Sequence, residues 1–245
     1  MGKHKRVIVI VDHIELFKEF VGIIQRLKNK VSFSFFCSPK NRNFKLKKFK
    51  TFEVKSLDVN QSRKWVIDNC DLVISLHSKQ IFPSKLIAKK KCVNVHPGFL
   101  PYNRGWYPHI FSIINKKPTG ATIHEMTNIL DFGPIIDSQE IKIKPDDTSA
   151  SLYKKIFKVE VKLIKKNIEK IIEGDYTTVM PNTKGNINYK KDYYKLLPID
   201  RNKKIKAEKI INKIRALTHG ECRGAYFIDK NKEKFEIKVS LRRVK

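Results

Sequence analysis

The run Val7-Ile8-Val9-Ile10-Val11 restricts the fold most. Five consecutive apolar, β-branched residues leave no polar face, so a strand made of them is buried on both sides, as in a parallel sheet. A crossover helix has to follow. Phe17, Phe20, Val21, Ile24 and Leu27 recur at helical spacing, and Asp12 with Glu15 reads as its capping box. Val31, Phe33 and Phe35 alternate with serines as a second strand, and the lysine-rich stretch 40–50 reads as an exposed connection. A helix ending over 65–69, a strand over 71–76, a short helix over 85–91 and a strand over 92–95 repeat the alternation. This order predicts an α/β fold, a Rossmann-like doubly wound, mostly parallel sheet. In such sheets ligands lie beyond the carboxyl ends of the strands, which selects His77-Ser78-Lys79 and residues 94–98.

Further on, 120–125 and 135–143 read as strands joined by the irregular Asp131-Phe132-Gly133-Pro134. Leu152, Ile156, Val159, Leu163 and Ile171 predict a long helix, capped at Thr148 or Asp147 and stopped at Gly174. Residues 180–188 carry Pro, Gly and Asn without periodicity and read as a linker. Beyond it, Ile210, Ile211, Ile214 and Leu217 form one face of a short helix ended by Gly220. Phe235, Ile237, Val239 and Leu241 alternate as a half-buried antiparallel strand. The expected division is a catalytic domain over 1–180 and a small α+β C-terminal domain over 181–245.

A chain of 245 residues with 41% hydrophobic residues can bury a full core. The 52 Lys and Arg against 24 Asp and Glu give a net charge of +28, which raises the question of nucleic acid. The lysines are spread from Lys3 to Lys245, and no nucleic-acid motif accompanies them, so a solvated basic surface suited to small anions is the preferred reading. A basic nucleic-acid-binding protein is the non-enzymatic alternative. Cys37, Cys70, Cys92 and Cys222 lack paired metal-ligand spacing and read as reduced. The apolar run at 7–11 is too short for a signal segment or membrane span, and a cytoplasmic protein is expected.

Asn94 and His96 are two residues apart on a strand, so both side chains leave one face at its carboxyl end before Pro97-Gly98 turns the chain. An amide donor beside an imidazole suits carbonyl addition: the amide meets the developing oxyanion while the imidazole moves a proton. By itself the pair reads equally as structural hydrogen bonding. Asp131, before Gly133, reads alone as a turn aspartate.

The run Asn94-Val-His96-Pro-Gly-Phe-Leu-Pro-Tyr-Asn-Arg104-Gly105 resembles the signature of the 10-formyltetrahydrofolate-dependent formyltransferases. That family includes glycinamide ribonucleotide transformylase, methionyl-tRNA formyltransferase and sugar N-formyltransferases. Thr119-Gly-Ala-Thr-Ile-His-Glu-Met126 and Asp131-Phe-Gly-Pro-Ile-Ile136, ending near Gln139, resemble its second stretch in order and spacing. The resemblance implies that Asn94, His96 and Asp131 are catalytic, leaving open whether His96 or Asp131 takes the amine proton. It implies 10-formyltetrahydrofolate as co-substrate, lying against Gln80-Ile81-Phe82-Pro83 and residues 128–131, with Asn128 and Asp131 among its contacts; Phe82 also reads as core. No metal is required for formyl transfer. His13, His77, His109, His124 and His219 lack ligand spacing and read as surface or core histidines.

Ser75-Leu76-His77-Ser78-Lys79, the run from Tyr102 to Pro108 and the short tail with Tyr226 resemble the branch acting on TDP-linked amino-dideoxy sugars. The resemblance implies TDP-4-amino-4,6-dideoxyglucose as acceptor, destined for bacterial surface polysaccharide such as O-antigen. A TDP-3-amino-3,6-dideoxy sugar or methionyl-tRNA is the alternative acceptor. Ser78 and Lys79 would meet the pyrophosphate, Tyr226 or Trp65 the base, and Arg104 and Trp106 complete the substrate contacts. The tail hairpin is expected to pair two copies in a homodimer.

Overall fold

The structure is a computed structural model that describes residues 4–27, 29–41, 44, 52–220 and 223–244. Most of the expected connection over 40–50, and Cys222, lie outside these residues. The first half builds β1 (Lys5–Val11), α1 (Ile14–Ile24), β2 (Val31–Cys37), β3 (Val54–Ser56), α2 (Arg63–Asn69), β4 (Leu72–Leu76), α3 (Ser84–Lys89) and β5 (Lys91–His96). Then come β6 (Arg104–Gly105), α4 (Pro108–Asn115), β7 (Thr119–Glu125), β8 (Ile135–Ile141) and α5 (Ser149–Glu173). The tail holds β9 (Ile187–Asn188), α6 (Lys190–Leu196), α7 (Ala207–Ala216), β10 (Ala225–Ile228) and β11 (Lys234–Ile237).

Seven strands form one sheet in the order β3-β2-β1-β4-β5-β7-β8. The first five run parallel, and β7 and β8 are antiparallel additions. The fold is therefore Rossmann-like, with a small C-terminal part carrying antiparallel strands. As its continuous apolar run requires, β1 is buried on both faces. Val7, Val9 and Val11 enter the core under α1 and α5, while Ile8 and Ile10 face the second core with Val66 of α2 and Leu86 of α3. Fully burying a side chain of this kind contributes ~1.5–3 kcal/mol, and burial on both faces lets every position of the strand contribute instead of every second one.

The 25-residue α5 starts at Thr148, whose hydroxyl accepts from the Ser151 N–H while Ser151 Oγ accepts from the Thr148 N–H. Gly174 ends it in the left-handed conformation. At ~1.5 Å per residue it is long enough to cross the sheet, and its first turn meets the tail, where Arg215 donates to the Asp147 carbonyl at 2.7 Å.

Several elements differ from the sequence expectation. The cap of α1 is His13, whose Nδ1 accepts from the Leu16 N–H at 3.0 Å, not Asp12. Asp12 is drawn away because its carboxylate accepts from the Ser38 N–H and hydroxyl, the Asn41 amide and the Lys79 N–H, tying together the loops after β1, β2 and β4. The expected linker over 180–188 contains β9, which pairs in parallel with β6. Ile211 is 48% exposed, since α7 docks through Arg215 and Ala216 at its end rather than along a full apolar face. The strand expected over 235–241 stops at Ile237, because its partner β10 has only four residues. Its Phe235 is 42% exposed. Helices α4 and α6 were not anticipated. Among the described residues no helix is long and apolar enough to cross a membrane, and no group of three or more His, Cys, Asp or Glu could hold a metal ion.

Candidate active site

The chain turns opposite ways from β1 to β2 and from β4 to β5, so the carboxyl ends of β1 and β4 frame a crevice. A cleft of about 620 Å³ opens there. Asn94 and His96 reach it from the end of β5, Asp131 from the loop after β7, and His77 to Ile81 from the loop after β4.

Antiparallel pairing of β5 with β7 sets His124 directly across from Asn94. His124 Nδ1 lies 2.8 Å from the Glu125 carbonyl, which can only accept, so Nδ1 carries the proton and Nε2 presents a lone pair. The Asn94 Nδ2 amide lies 3.3 Å from that lone pair and 3.4 Å from Asp131 Oδ1. These contacts direct the Asn94 amide nitrogen toward His124 and Asp131. Asp131 Oδ2 accepts from the Gly105 N–H at 2.9 Å and stands 3.6 Å from His96 Nδ1. Among the described residues nothing hydrogen-bonds His96 Nε2.

The loop bearing Asp131 is held tightly. Thr127 Oγ1 donates to the Phe132 carbonyl and accepts from the Ile129 N–H at 3.2 Å. A side chain at Gly133 would meet the Glu125 carbonyl oxygen at 2.0 Å, so only glycine lets the loop fold back onto β7. The loop after β5 is tied in the same way: Thr122 Oγ1 donates to the Gly98 carbonyl and accepts from the Leu100 N–H.

Burial lowers the His96 pKa from its ordinary 6.5, opposed by the nearby Asp131 carboxyl and reinforced by His77. His124 is lowered to about 4, again chiefly by burial. Neutral imidazoles therefore prevail here near pH 7, which leaves His96 able to accept a proton.

The structure gathers Asn94, His96, Asp131, Ser78, Lys79, Gln80, Ile81 and Trp106 around one cleft. The Gln80 side chain faces away from it, accepting from the Val59 N–H and donating to the Leu57 carbonyl at 2.9 Å each. The remaining candidates lie elsewhere. Phe82 is buried in the second core, and Asn128 is exposed outside the cleft lining. Arg104 is buried, donates to the Leu130 carbonyl at 3.1 Å and sits over the Phe132 ring. Trp65 packs edge-on against Phe36, and Tyr226 lines a separate tail cavity with Lys234 above its ring.

Residues that sequence reasoning left out complete the walls. His13, His77, His109 and His219, read from the sequence as surface or core, line the cleft together with Asp12 and Tyr153. His77 Nε2 lies 2.5 Å from the carboxylate of Glu160, wholly buried on α5. The strand-end rule that singled out His77 also applies to His13, which follows β1. His109, Tyr153 and His219 come from segments far apart in the chain and carry no local signal.

Residues 25–168 match the family described as Formyl transferase, and residues 192–243 match the N-formyltransferase dimerization C-terminal domain. The chain is 43% identical over 188 residues to the dTDP-4-amino-4,6-dideoxyglucose formyltransferase of Mycobacterium tuberculosis, covering 77% of this chain and 80% of that protein. The crystal structure of a 4-N formyltransferase from Francisella tularensis superposes with a TM-score of 0.94 at 38% identity, covering 99% of this chain and 100% of that one. A sugar N-formyltransferase from Shewanella gives a TM-score of 0.89 at 31% identity, covering 98% and 99%. The cleft chemistry and these likenesses coincide: the chain belongs to the formyltransferase family, enzymes that transfer formyl groups.

Proposed function

We propose that this protein is a sugar N-formyltransferase that moves the formyl group of 10-formyltetrahydrofolate to the amine of a nucleotide-linked amino-dideoxy sugar, with dTDP-4-amino-4,6-dideoxyglucose as acceptor. The observation that carries the acceptor is the 43% identity, over most of both chains, with an enzyme named for that sugar. The residues present also fit the co-substrate. Ile81 and Leu130 stand 75% and 41% exposed at the cleft, two apolar surfaces that a flat ring system would cover. Bound folate supplies the activated formyl carbon.

Asn94 donates to the formyl oxygen as charge builds on it; its present contacts at 3.3 and 3.4 Å are long enough to be exchanged for that one. His96 takes the proton of the attacking amine and returns it to the departing folate nitrogen, so that the amine loses one hydrogen and the folate gains it. Asp131 Oδ2, 3.6 Å from His96 Nδ1, orients the ring and favours its charged form once the amine proton has arrived. Ser78 and Lys79, on the cleft wall, are assigned to the pyrophosphate, and Trp106, also on that wall, to the substrate.

The catalytic unit is taken as 1–180 and the tail, 181–245, as the dimerisation unit of a homodimer, supported by the two family matches. The stacked pair Phe227 and Phe235, with Phe235 exposed, fits that role. The reaction is assigned to the cytoplasm, in keeping with the free thiols of Cys70 and Cys92, and its product to bacterial surface polysaccharide such as O-antigen.

The acceptor is tested by offering 10-formyltetrahydrofolate with dTDP-4-amino, dTDP-3-amino and UDP-4-amino sugars and with methionyl-tRNA, and reading the gain of one formyl group by mass spectrometry. The dTDP-4-amino sugar is expected to react fastest. Formylation of methionyl-tRNA with no sugar product would overturn the assignment.

A further inference from the structure

We infer that the strap joining the catalytic sheet to the tail is a positioning element for Asp131, and that Asn186 and Asn188 on it are positioning residues for formyl transfer. The inference rests on the role proposed above for Asp131 in orienting His96.

Four consecutive backbone N–H groups divide between the strap and Asp131. Those of Asn103, Arg104 and Trp106 all go to the strap: to Asn186 Oδ1 at 3.0 Å, to the Asn186 carbonyl at 3.0 Å and to the Asn188 carbonyl at 2.9 Å. That of Gly105 points the other way, to Asp131 Oδ2 at 2.9 Å. Along 104–106 the N–H groups alternate in direction, so the strap on one side of β6 aims the Gly105 donor on the other, while Asn103, left-handed at φ +51°, adds a third bond to the strap just before it. Arg104 adds its bond to the Leu130 carbonyl, and the loop bearing Asp131 is held at two successive residues.

A closed amide cluster locks the strap in place. Asn103 is fully buried, and its Oδ1 accepts from the amides of Asn115 at 2.9 Å, Asn186 at 2.9 Å and Asn188 at 3.2 Å. Its own amide donates to Ser112 Oγ at 3.1 Å. An amide oxygen has two lone pairs, so its three donors share it, and both strap amides are tied to one buried acceptor. The contact is also close: Gly105 has φ +85°, and a side chain there would meet the Asn188 carbonyl oxygen at 2.4 Å. Asp131 needs an external hold because its own backbone, at φ +46°, lies in the left-handed region that a non-glycine residue adopts only at a cost.

The test compares Asn186→Ala, Asn188→Ala and Asp131→Asn with the parent full-length enzyme, measuring kcat, KM for the amino sugar, the pH profile, melting temperature and sedimentation. The groups facing His96 are Asp131, His124 and His77. Of these Asp131 raises its pKa, so loosening Asp131 moves the acid limb of the profile to lower pH. Asn186→Ala is expected to stay folded and dimeric, to lose about 10- to 100-fold in kcat with KM within about twofold, and to shift the acid limb in the direction of Asp131→Asn but less far. Unchanged kcat and profile, or a kcat loss with an unmoved profile, would overturn the inference. Should Asn186→Ala fail to fold, Asn188→Ala, which gives up only the longest of the three bonds, is judged by the same criteria. Full activity in Asp131→Asn would instead remove the underlying reading of Asp131.

Discussion

Burial keeps the imidazoles of His96 and His124 neutral, and this has two separable consequences. For chemistry, His96→Asn should cost about 10²–10⁴-fold in kcat by removing the proton acceptor, and Asn94→Ala about 10²–10³-fold by removing the oxyanion donor, both read from initial rates. For stability the sign is that of the usual carboxylate case and opposite to that of a histidine that gains an acidic partner. His124 has a folded pKa of about 4 against an ordinary 6.5, so the unfolded chain binds the proton first. Its contribution is complete above pH 6.5 and is lost as pH falls from 6.5 toward 4, on the order of 2 kcal/mol by pH 5. His13, lowered to about 4 mainly by burial and then by His77, adds in the same direction. Urea unfolding at pH 7.5 and pH 5 should show this loss, and His124→Asn should flatten it; an unchanged slope in that variant would contradict the account. At this scale Asn94 and His96 were legible because period-two spacing on one strand brings them together. The placing of His109, Tyr153 and His219 was not, because helix starts and a tail loop deliver them across long sequence separations.

Among the elements, burial decides which ones the sequence reveals. The runs that became β1 and β4 and the stripe that became α5 announce themselves because their apolar periodicity matches their surroundings on both faces or one. Ile156, fully buried on α5, should cost about 2–5 kcal/mol as Ile156→Ala in chemical denaturation while leaving KM unchanged in the folded fraction. Helix α4 was hidden by its entry: Tyr107 takes the left-handed conformation and Pro108 follows at the first turn, so the segment reads as a loop. Helix α6 has seven residues, of which only Tyr193 is buried, too few to print a stripe. The strap at 180–188 looked like linker because its fixation comes from asparagine amides and backbone pairing, neither of which has a hydrophobic period.

On the scale of the whole molecule, β10 and β11 present Phe227 and Phe235 stacked at 5.3 Å, with Phe235 and Ile228 facing outward. Phe235→Asp should convert the homodimer to monomer in sedimentation, with little effect on the melting of the catalytic sheet. A dimer that survives this change would move the interface elsewhere. The alternating apolar pattern of the tail was visible in the sequence, but its exposure was not, because a strand that completes its burial against a second copy looks the same as one buried within its own chain. The +28 charge likewise announced a basic surface without saying what meets it. The claim on which all three scales converge is that Asn94, His96 and Asp131 carry formyl transfer to a sugar amine. The direct measurement is turnover of dTDP-4-amino-4,6-dideoxyglucose with 10-formyltetrahydrofolate by the parent enzyme and by His96→Asn at equal folded concentration, with dTDP binding measured in both. The account predicts formylated sugar from the parent, a rate at least about 100-fold lower in the variant and equal dTDP affinity. Equal turnover by the two proteins would contradict it.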